Sequence, residues 1–124
     1  MAKTKSMIRS LEKIKEYGWL YDIVEQPYNR YTKKKKDLFG FGDILCLDGK
    51  RTVIIQATGA DLSSHRYKIL ENMFVIPWLE ADGNELEIWS WRKLKKVRGK
   101  KATYWNLKIT DVLLVNGEIY FEES

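Results

Sequence analysis

Between Gly42 and Ala57 the chain sets two apolar runs, Ile44-Leu45-Cys46-Leu47 and Thr52-Val53-Ile54-Ile55, on either side of Asp48-Gly49. An Asp-Gly pair between such runs signals a hairpin, because both residues accept the left-handed backbone that a two-residue turn demands. Within each run the apolar side chains stand at consecutive positions rather than alternating. Both faces of each strand must then be covered, and the hairpin is predicted to lie at the centre of a sheet.

The other elements arrange themselves around it. Met7, Leu11, Ile14 and Gly18 recur at the spacing of one helix face. Thr4 or Ser6 suits the N-cap, and Gly18 suits the position just past the end. Trp19 to Glu25 reads as a strand closed by Pro27. Tyr28 to Lys36 reads as a polar, basic connection. Asp61, Ser63 or Ser64 can cap a second helix with Ile69, Leu70, Met73 and Phe74 on its inner side, and Pro77 either breaks it or opens a short extra turn. Gly83-Asn84 marks a turn. Glu85 to Trp91 alternates, as a strand with one solvated face does. A basic loop follows, then a strand from Thr103 to Ile109 and a last hairpin over Asp111 to Glu122 around Asn116-Gly117. The order is α-β-β-β-α-β with a C-terminal β hairpin. A helix crossing between the third and fourth strands makes those two parallel. The expectation is one α/β domain over residues 1–124, with a mixed central sheet flanked by helices.

Composition narrows the function. The chain has 22 Lys and Arg against 17 Asp and Glu, a formal charge of +5. The excess is concentrated in two places: Lys33, Lys34, Lys35 and Lys36, and then Arg92, Lys93, Lys95, Lys96, Arg98, Lys100 and Lys101. Two basic clusters separated by ordered sequence point to a polyanionic partner, against the alternative of two solvated loops. One cysteine, Cys46, and one histidine, His65, make neither a disulfide nor a zinc site. Cys46 sits in an apolar run as a small core residue would. No run approaches the ~20 apolar residues of a membrane span, and the first residues lack the apolar stretch of a signal peptide. A cytoplasmic protein is expected, in the host cytoplasm if phage-encoded. Most of the five Trp and seven Tyr read as core or sheet-face residues, with some left to stack on bases.

The hairpin also carries two polar residues inside its apolar runs, Asp43 and Gln56. A two-residue loop sets Asp43 against Ile54 and leaves Gln56 as its diagonal neighbour on the same face. A four-residue loop sets Asp43 directly against Gln56. A three-residue loop sends the two to opposite faces. An unpaired carboxylate in such a place costs several kcal/mol, so a partner is required. Mg²⁺ suits it, since it takes oxygen ligands, keeps waters and bridges to phosphate. A turn cap or a lysine pair is the plainer alternative.

At these residues the chain resembles a family. Phe39-Gly40-Phe41-Gly42-Asp43-Ile44-Leu45, followed by Ile55-Gln56-Ala57-Thr58, looks like the core of PD-(D/E)XK nucleases, and the spacing from Asp43 to Gln56 is similar to that of small archaeal-type Holliday junction resolvases. From Gly18 to Arg92 the chain also resembles phage-encoded relatives with an IQ-x-T third strand and a fourth strand ending in WRK, here Ser90-Trp91-Arg92-Lys93. The resemblance implies a restriction-endonuclease-like fold and Mg²⁺- or Mn²⁺-dependent hydrolysis of DNA phosphodiesters. It implies that Asp43, Gln56 and the Ala57 carbonyl hold the metal.

Two positions depart from the family's pattern. Thr58 stands where the lysine belongs, and Arg9 or Ser10 where resolvases have a helix glutamate. Lys68 is the candidate for a migrated lysine and Glu25 for the missing acid, with Asp37 a weaker one. His65 and Arg66 are candidates for phosphate contact, together with Lys33 to Lys36 and with Arg92 and Lys93. Symmetric cutting needs two centres, so a homodimer is expected. Two other readings stay open: a non-catalytic nucleic-acid-binding protein on the same fold, which Thr58 favours, and a scaffold protein with solubilising loops.

Overall fold

The computed structural model describes residues 4–31 and 34–123. Along the chain the elements are α1 (Lys5–Tyr17), β1 (Leu20–Ile23), β2 (Gln26–Asn29), β3 (Lys34–Lys36), β4 (Ile44–Leu47), β5 (Thr52–Thr58), α2 (Leu62–Glu71), α3 (Val75–Glu80), β6 (Asn84–Lys95), β7 (Thr103–Val115) and β8 (Glu118–Glu123). One mixed sheet of six strands runs in the order β1-β4-β5-β6-β7-β8, and β2 and β3 pair separately. Within the sheet only β5 and β6 are parallel, as a helical crossover through α2 and α3 requires.

The apolar runs of β4 and β5 are covered from both sides. Ile44, Cys46, Val53 and Ile55 face α1, where they meet Met7, Leu11, Ile14 and Trp89. Ile54 points the other way, into a cluster with Phe41, Ile69, Val75, Leu86, Ile88 and Val112. Burial pushes the Cys46 thiol up to about 12, so it is an inert core residue. α1 begins where Thr4 Oγ1 accepts the Met7 N–H at 3.1 Å and ends at Gly18 in the left-handed conformation, with φ 75°.

Several sequence expectations need correction. Residues 26–36 are not a plain connection but the β2–β3 hairpin, and Pro27 lies inside β2 instead of closing the preceding strand. The loop joining β4 to β5 has four residues, because Leu47 pairs with Thr52. Asp48 sets it by accepting N–H groups from both Lys50 and Arg51. Leu70, Met73 and Phe74 are exposed. α2 ends at Asn72, whose backbone turns extended and whose side chain accepts the Phe74 N–H and donates to the Phe39 carbonyl, so Val75 of the next helix fills the core instead. Pro77 falls inside that short helix, α3.

Over Leu86 to Trp91, β6 does not have the expected solvated face. Leu86 to Trp91 are all buried, since α1 covers the side bearing Glu87, Trp89 and Trp91. β6 also runs on to Lys95, so the first part of the basic segment, Arg92 to Lys95, is strand. The two strands expected after it are one, β7, which turns into β8 at Asn116-Gly117 with both residues at positive φ.

A tight turn over residues 38–42 delivers the chain into β4. Leu38 and Gly42 form an isolated antiparallel bridge. A Cβ on Gly42 would stand 2.9 Å from Ile54 Cγ2 and 3.0 Å from Leu38 Cβ. Gly42→Ala is therefore expected to destabilise the fold by about 1–3 kcal/mol, measured by urea denaturation. A cost below roughly 0.5 kcal/mol, the range of an indifferent surface change, would show that this turn is free to shift.

Candidate metal centre

Three successive strand registers build the site. β4 pairs with β5 as far as Ile44↔Ile55, and Asp43 stands just before the strand, its N–H donating to the Ile55 carbonyl and its Oδ2 accepting the Ala57 N–H. The Leu38↔Gly42 bridge likewise puts Asp37 across from Asp43. Gln26↔Lys36 closes the base of the β2–β3 hairpin and puts Glu25 across from Asp37. Backbone bonds tie the row together: the Asp43 carbonyl accepts N–H groups from Val24 at 3.0 Å and Glu25 at 3.3 Å, and the Asp43 N–H donates to the Ile55 carbonyl. Carboxylate oxygens of Glu25, Asp37 and Asp43 all lie within 4.8 Å of one another.

The centre of the row is dry. Asp43 is 7% exposed and Gln56 3%. Asp43 Oδ2 accepts the Ala57 N–H at 2.8 Å. Gln56 Oε1 is buried without a hydrogen-bond partner. Burial, then the charge of Asp37, push the Asp43 carboxyl up to about 8; the Ala57 N–H works against this and Glu25 adds to it. Like charges at such distances oppose ionisation, and burial compounds the effect.

A second buried carboxylate offers a comparison. Glu87, 4% exposed, lies toward the other end of the sheet. It accepts the Trp89 indole N–H at 2.8 Å and Arg51 Nη1 at 3.0 Å. Arg51 also binds Glu85 and Asp48, and its bonds to Asp48 hold that carboxyl down at about 2. There the chain supplies its own cation to a buried acid.

The sequence candidates fall out unevenly. The four-residue loop brings the Asp43 carboxylate to the N–H of Ala57, the chain neighbour of Gln56. Glu25 joins Asp43, and so does Asp37, which the sequence ranked below it. Ala57 touches Asp43 through its N–H. Thr58 is buried beside them. Arg9 stacks its guanidinium on Trp105 at 3.5 Å, and Ser10 accepts the Trp91 indole N–H at 2.9 Å, so neither substitutes for an acid. Lys68 is exposed in the last turn of α2 and makes no hydrogen bond or ion pair with the described acids; its charge acts on His65. Burial, then Lys68, hold the His65 ring below its ordinary value, against Asp61 and Asp37, and its Nδ1 is buried without a partner. Arg66 pairs with Glu123 at 2.7 Å, an acid it shares with Lys108, and lies over Phe121. Arg92 and Lys93 are exposed. Lys33 lies outside the described residues, as do the side chains of Lys34, Lys35 and Lys36.

No protein-family model, curated protein or solved structure matches the chain. No helix among the described residues is long and apolar enough to cross a membrane.

The raised Asp43 carboxyl has a thermodynamic consequence. Between its ordinary 3.8 and about 8, the folded chain holds a proton that the unfolded chain has released. Without a bound cation, stability must therefore fall as pH rises through that window. Asp43→Asn keeps an acceptor for the Ala57 N–H and removes the titration. Its melting temperature in EDTA is expected to exceed the parent's at pH 8 by about 4 °C for each kcal/mol regained, and to match it near pH 4. Equal melting temperatures across the range would show that Asp43 does not titrate there.

Proposed function

We propose that this chain is a metal-dependent endonuclease of the PD-(D/E)XK type, with a restriction-endonuclease-like core, acting on DNA phosphodiesters as small junction resolvases do. The observation that carries this reading is the convergence of Glu25, Asp37 and Asp43, with Gln56, whose side-chain oxygen is buried without a partner, next in the chain to the Ala57 that binds Asp43. Three carboxylates and a neutral amide oxygen make an all-oxygen donor set, which suits Mg²⁺ or Mn²⁺ and does not suit zinc. The contrast with Glu87 supports it further: that acid meets an arginine, whereas Asp43 meets two more acids and a backbone N–H.

Glu25, Asp37, Asp43 and Gln56 would hold the ion. When bound, it supplies Lewis acidity toward a phosphate oxygen and lowers the pKa of a water. The chain's own residues do the rest. Asp43 gives up its proton to become a ligand, so loading at neutral pH releases protons. The Ala57 N–H fixes the Asp43 carboxylate in place. His65, held neutral by burial, is the nearby group able to accept a proton. A homodimer would supply a second centre for the opposite strand.

A second reading has one observation in its favour. Thr58 occupies the family's lysine position, and Lys68 contacts none of the acids, which favours a DNA-binding protein that has lost cleavage.

Incubation with branched, duplex and single-stranded DNA in Mg²⁺ or Mn²⁺ separates the two. Cleavage is expected from the parent chain and a fall of about 100-fold or more in Asp43→Asn, the scale of losing one group that stabilises transition-state charge. DNA affinity in EDTA should be unchanged in that variant. Cleavage that survives Asp43→Asn would reject the site. Calorimetry with Mn²⁺ should show binding to the parent and weakened binding to Asp37→Asn. The absence of any metal binding by the parent would sink the metal reading itself.

A further inference from the structure

Beyond the sheet, β6 and β7 continue alone. β5 pairs with β6 only as far as Ser90, and β8 pairs with β7 only from Thr110 onward. Residues 91–95 and 103–107 therefore form a two-stranded ribbon with no strand on either flank among the described residues, closed by a turn over residues 96–102. At ~3.3 Å per residue, the five residues from Trp91 to Lys95 extend it by roughly 17 Å, before the turn adds its own length.

Its base is braced. The Trp91 indole donates to Ser10 on α1, and Arg9 of the same helix stacks on Trp105. From Arg92 to Tyr104 every residue is exposed. Seven basic residues lie between Arg92 and Lys101, and no acidic residue occurs anywhere from Ser90 to Thr110. None of the seven is ion-paired to a described residue.

The ribbon also leaves the sheet at the site. β5 and β6 are parallel, with Gln56 beside Ile88 and Thr58 beside Ser90. β6 therefore runs out past the end of β5 that carries Gln56. The antiparallel pairings bring the start of β4 and the end of β1 to this same end.

We propose that this ribbon is a duplex-binding arm that enters the major groove of B-form DNA and seats a backbone phosphate at the acidic centre. This rests on the phosphodiesterase reading above and adds the form of its substrate. A two-stranded ribbon fits a groove ~12 Å wide. The deep, narrow major groove of an RNA duplex does not admit it. Basic side chains stand on both faces, Lys93 and Lys95 on the side of α1 and Arg92 on the other, so the two groove walls are met at once. The contacts are to phosphates and carry no sequence information. A single strand binds by stacking on exposed aromatics; Trp105 is already stacked under Arg9, which leaves Tyr104 as the ribbon's one open ring, too few for a stacking platform.

The test is binding in EDTA, where cleavage cannot intervene. Fluorescence anisotropy would compare the parent with a variant carrying Lys96→Ser, Arg98→Ser, Lys100→Ser and Lys101→Ser, on a 30-bp DNA duplex, the matching RNA duplex and the single strand. The parent is expected to prefer the DNA duplex. The variant should weaken duplex binding about 10-fold or more and lower the slope of log Kd against log salt by about three to four, one counterion released per lost contact. Lys50→Ser, at the opposite end of the sheet, should leave both unchanged. An unaltered duplex slope in the fourfold variant, a parent preference for the single strand or for RNA, or an equal effect per charge from Lys50→Ser would each overturn the proposal. Circular dichroism confirms that the exposed substitutions leave the fold intact. Failure of the site is distinguishable: a parent that grips duplex through the ribbon but never cleaves would remove the nuclease reading and leave the arm. A fourfold variant that binds normally would remove the arm and leave the site.

Discussion

The register of β4 against β5 is the constraint from which the site follows. Leu47 opposite Thr52 fixes every later pair, and a slip of one residue would send Asp43 and Gln56 to opposite faces. Two features hold the register. Asp48 stitches the four-residue loop through the Lys50 and Arg51 N–H groups. The apolar runs are buried on both sides, with Ile44 and Ile55 under α1 and Ile54 against Phe41 and Ile88. Any slip would exchange partners in both clusters at once. Asp43 then fastens the far end, its side chain bonding β5 at Ala57 and its carbonyl bonding the segment after β1 at Val24. One residue thus ties three strands and contributes an acid to the space between them.

The two ends of the sheet treat buried acids differently. Both Glu87 and Asp43 are raised by burial. At the Glu87 end a single arginine, itself stacked near Trp19, satisfies three carboxylates and holds the hairpin loop to β6. A structural role explains that cluster, because its charge is locally compensated. At the Asp43 end the carboxyl meets the Ala57 N–H and a hydrogen bond shared with Asp37, while Gln56 keeps a buried oxygen without a donor. A fold that needed only stability at this end would have gained by apolar residues of similar volume. The arrangement makes sense if a cation completes it.

What the sequence disclosed tracks where polarity breaks an apolar pattern. Asp43 and Gln56 stood out because each interrupts a run of Ile, Leu and Val, and burial of both was foreseeable. Asp37 did not, because it follows four lysines in a segment with no apolar period. The β2 and β3 strands pair through their backbones, and their sequence, polar and basic with a proline, holds no apolar period, so hydrophobic patterning had nothing to report there. The alternation of Glu85 to Trp91 misled in the opposite sense. Glu87 reads as a solvent-facing residue until α1 is laid over that side and Arg51 is brought to it from 36 residues away. The ribbon was concealed for a related reason: a strand exposed on both faces carries no apolar alternation, and lysines read as loop.

The acids and the basic ribbon at one end of the molecule are not redundant. Two unit charges about 5 Å apart near a protein surface repel by roughly 3 kcal/mol, so a phosphate brought to Glu25, Asp37 and Asp43 would be pushed away. Residues near Lys96 stand about 20 Å beyond the level of Ser90 at strand spacing. The screening length at physiological salt is about 8 Å, so the charges at the ribbon's tip do little against repulsion at the acids. They can only grip phosphates that pass close to them. A bound cation would meet that repulsion where it arises. Protonating Asp43 relieves its own charge and turns its carboxyl into a hydrogen-bond donor, but it supplies no Lewis acid. A divalent ion answers both needs at once. On the proposed reading, affinity would belong to the ribbon and chemistry to the acids, and the two would answer to different variables: the first to salt, the second to metal and pH.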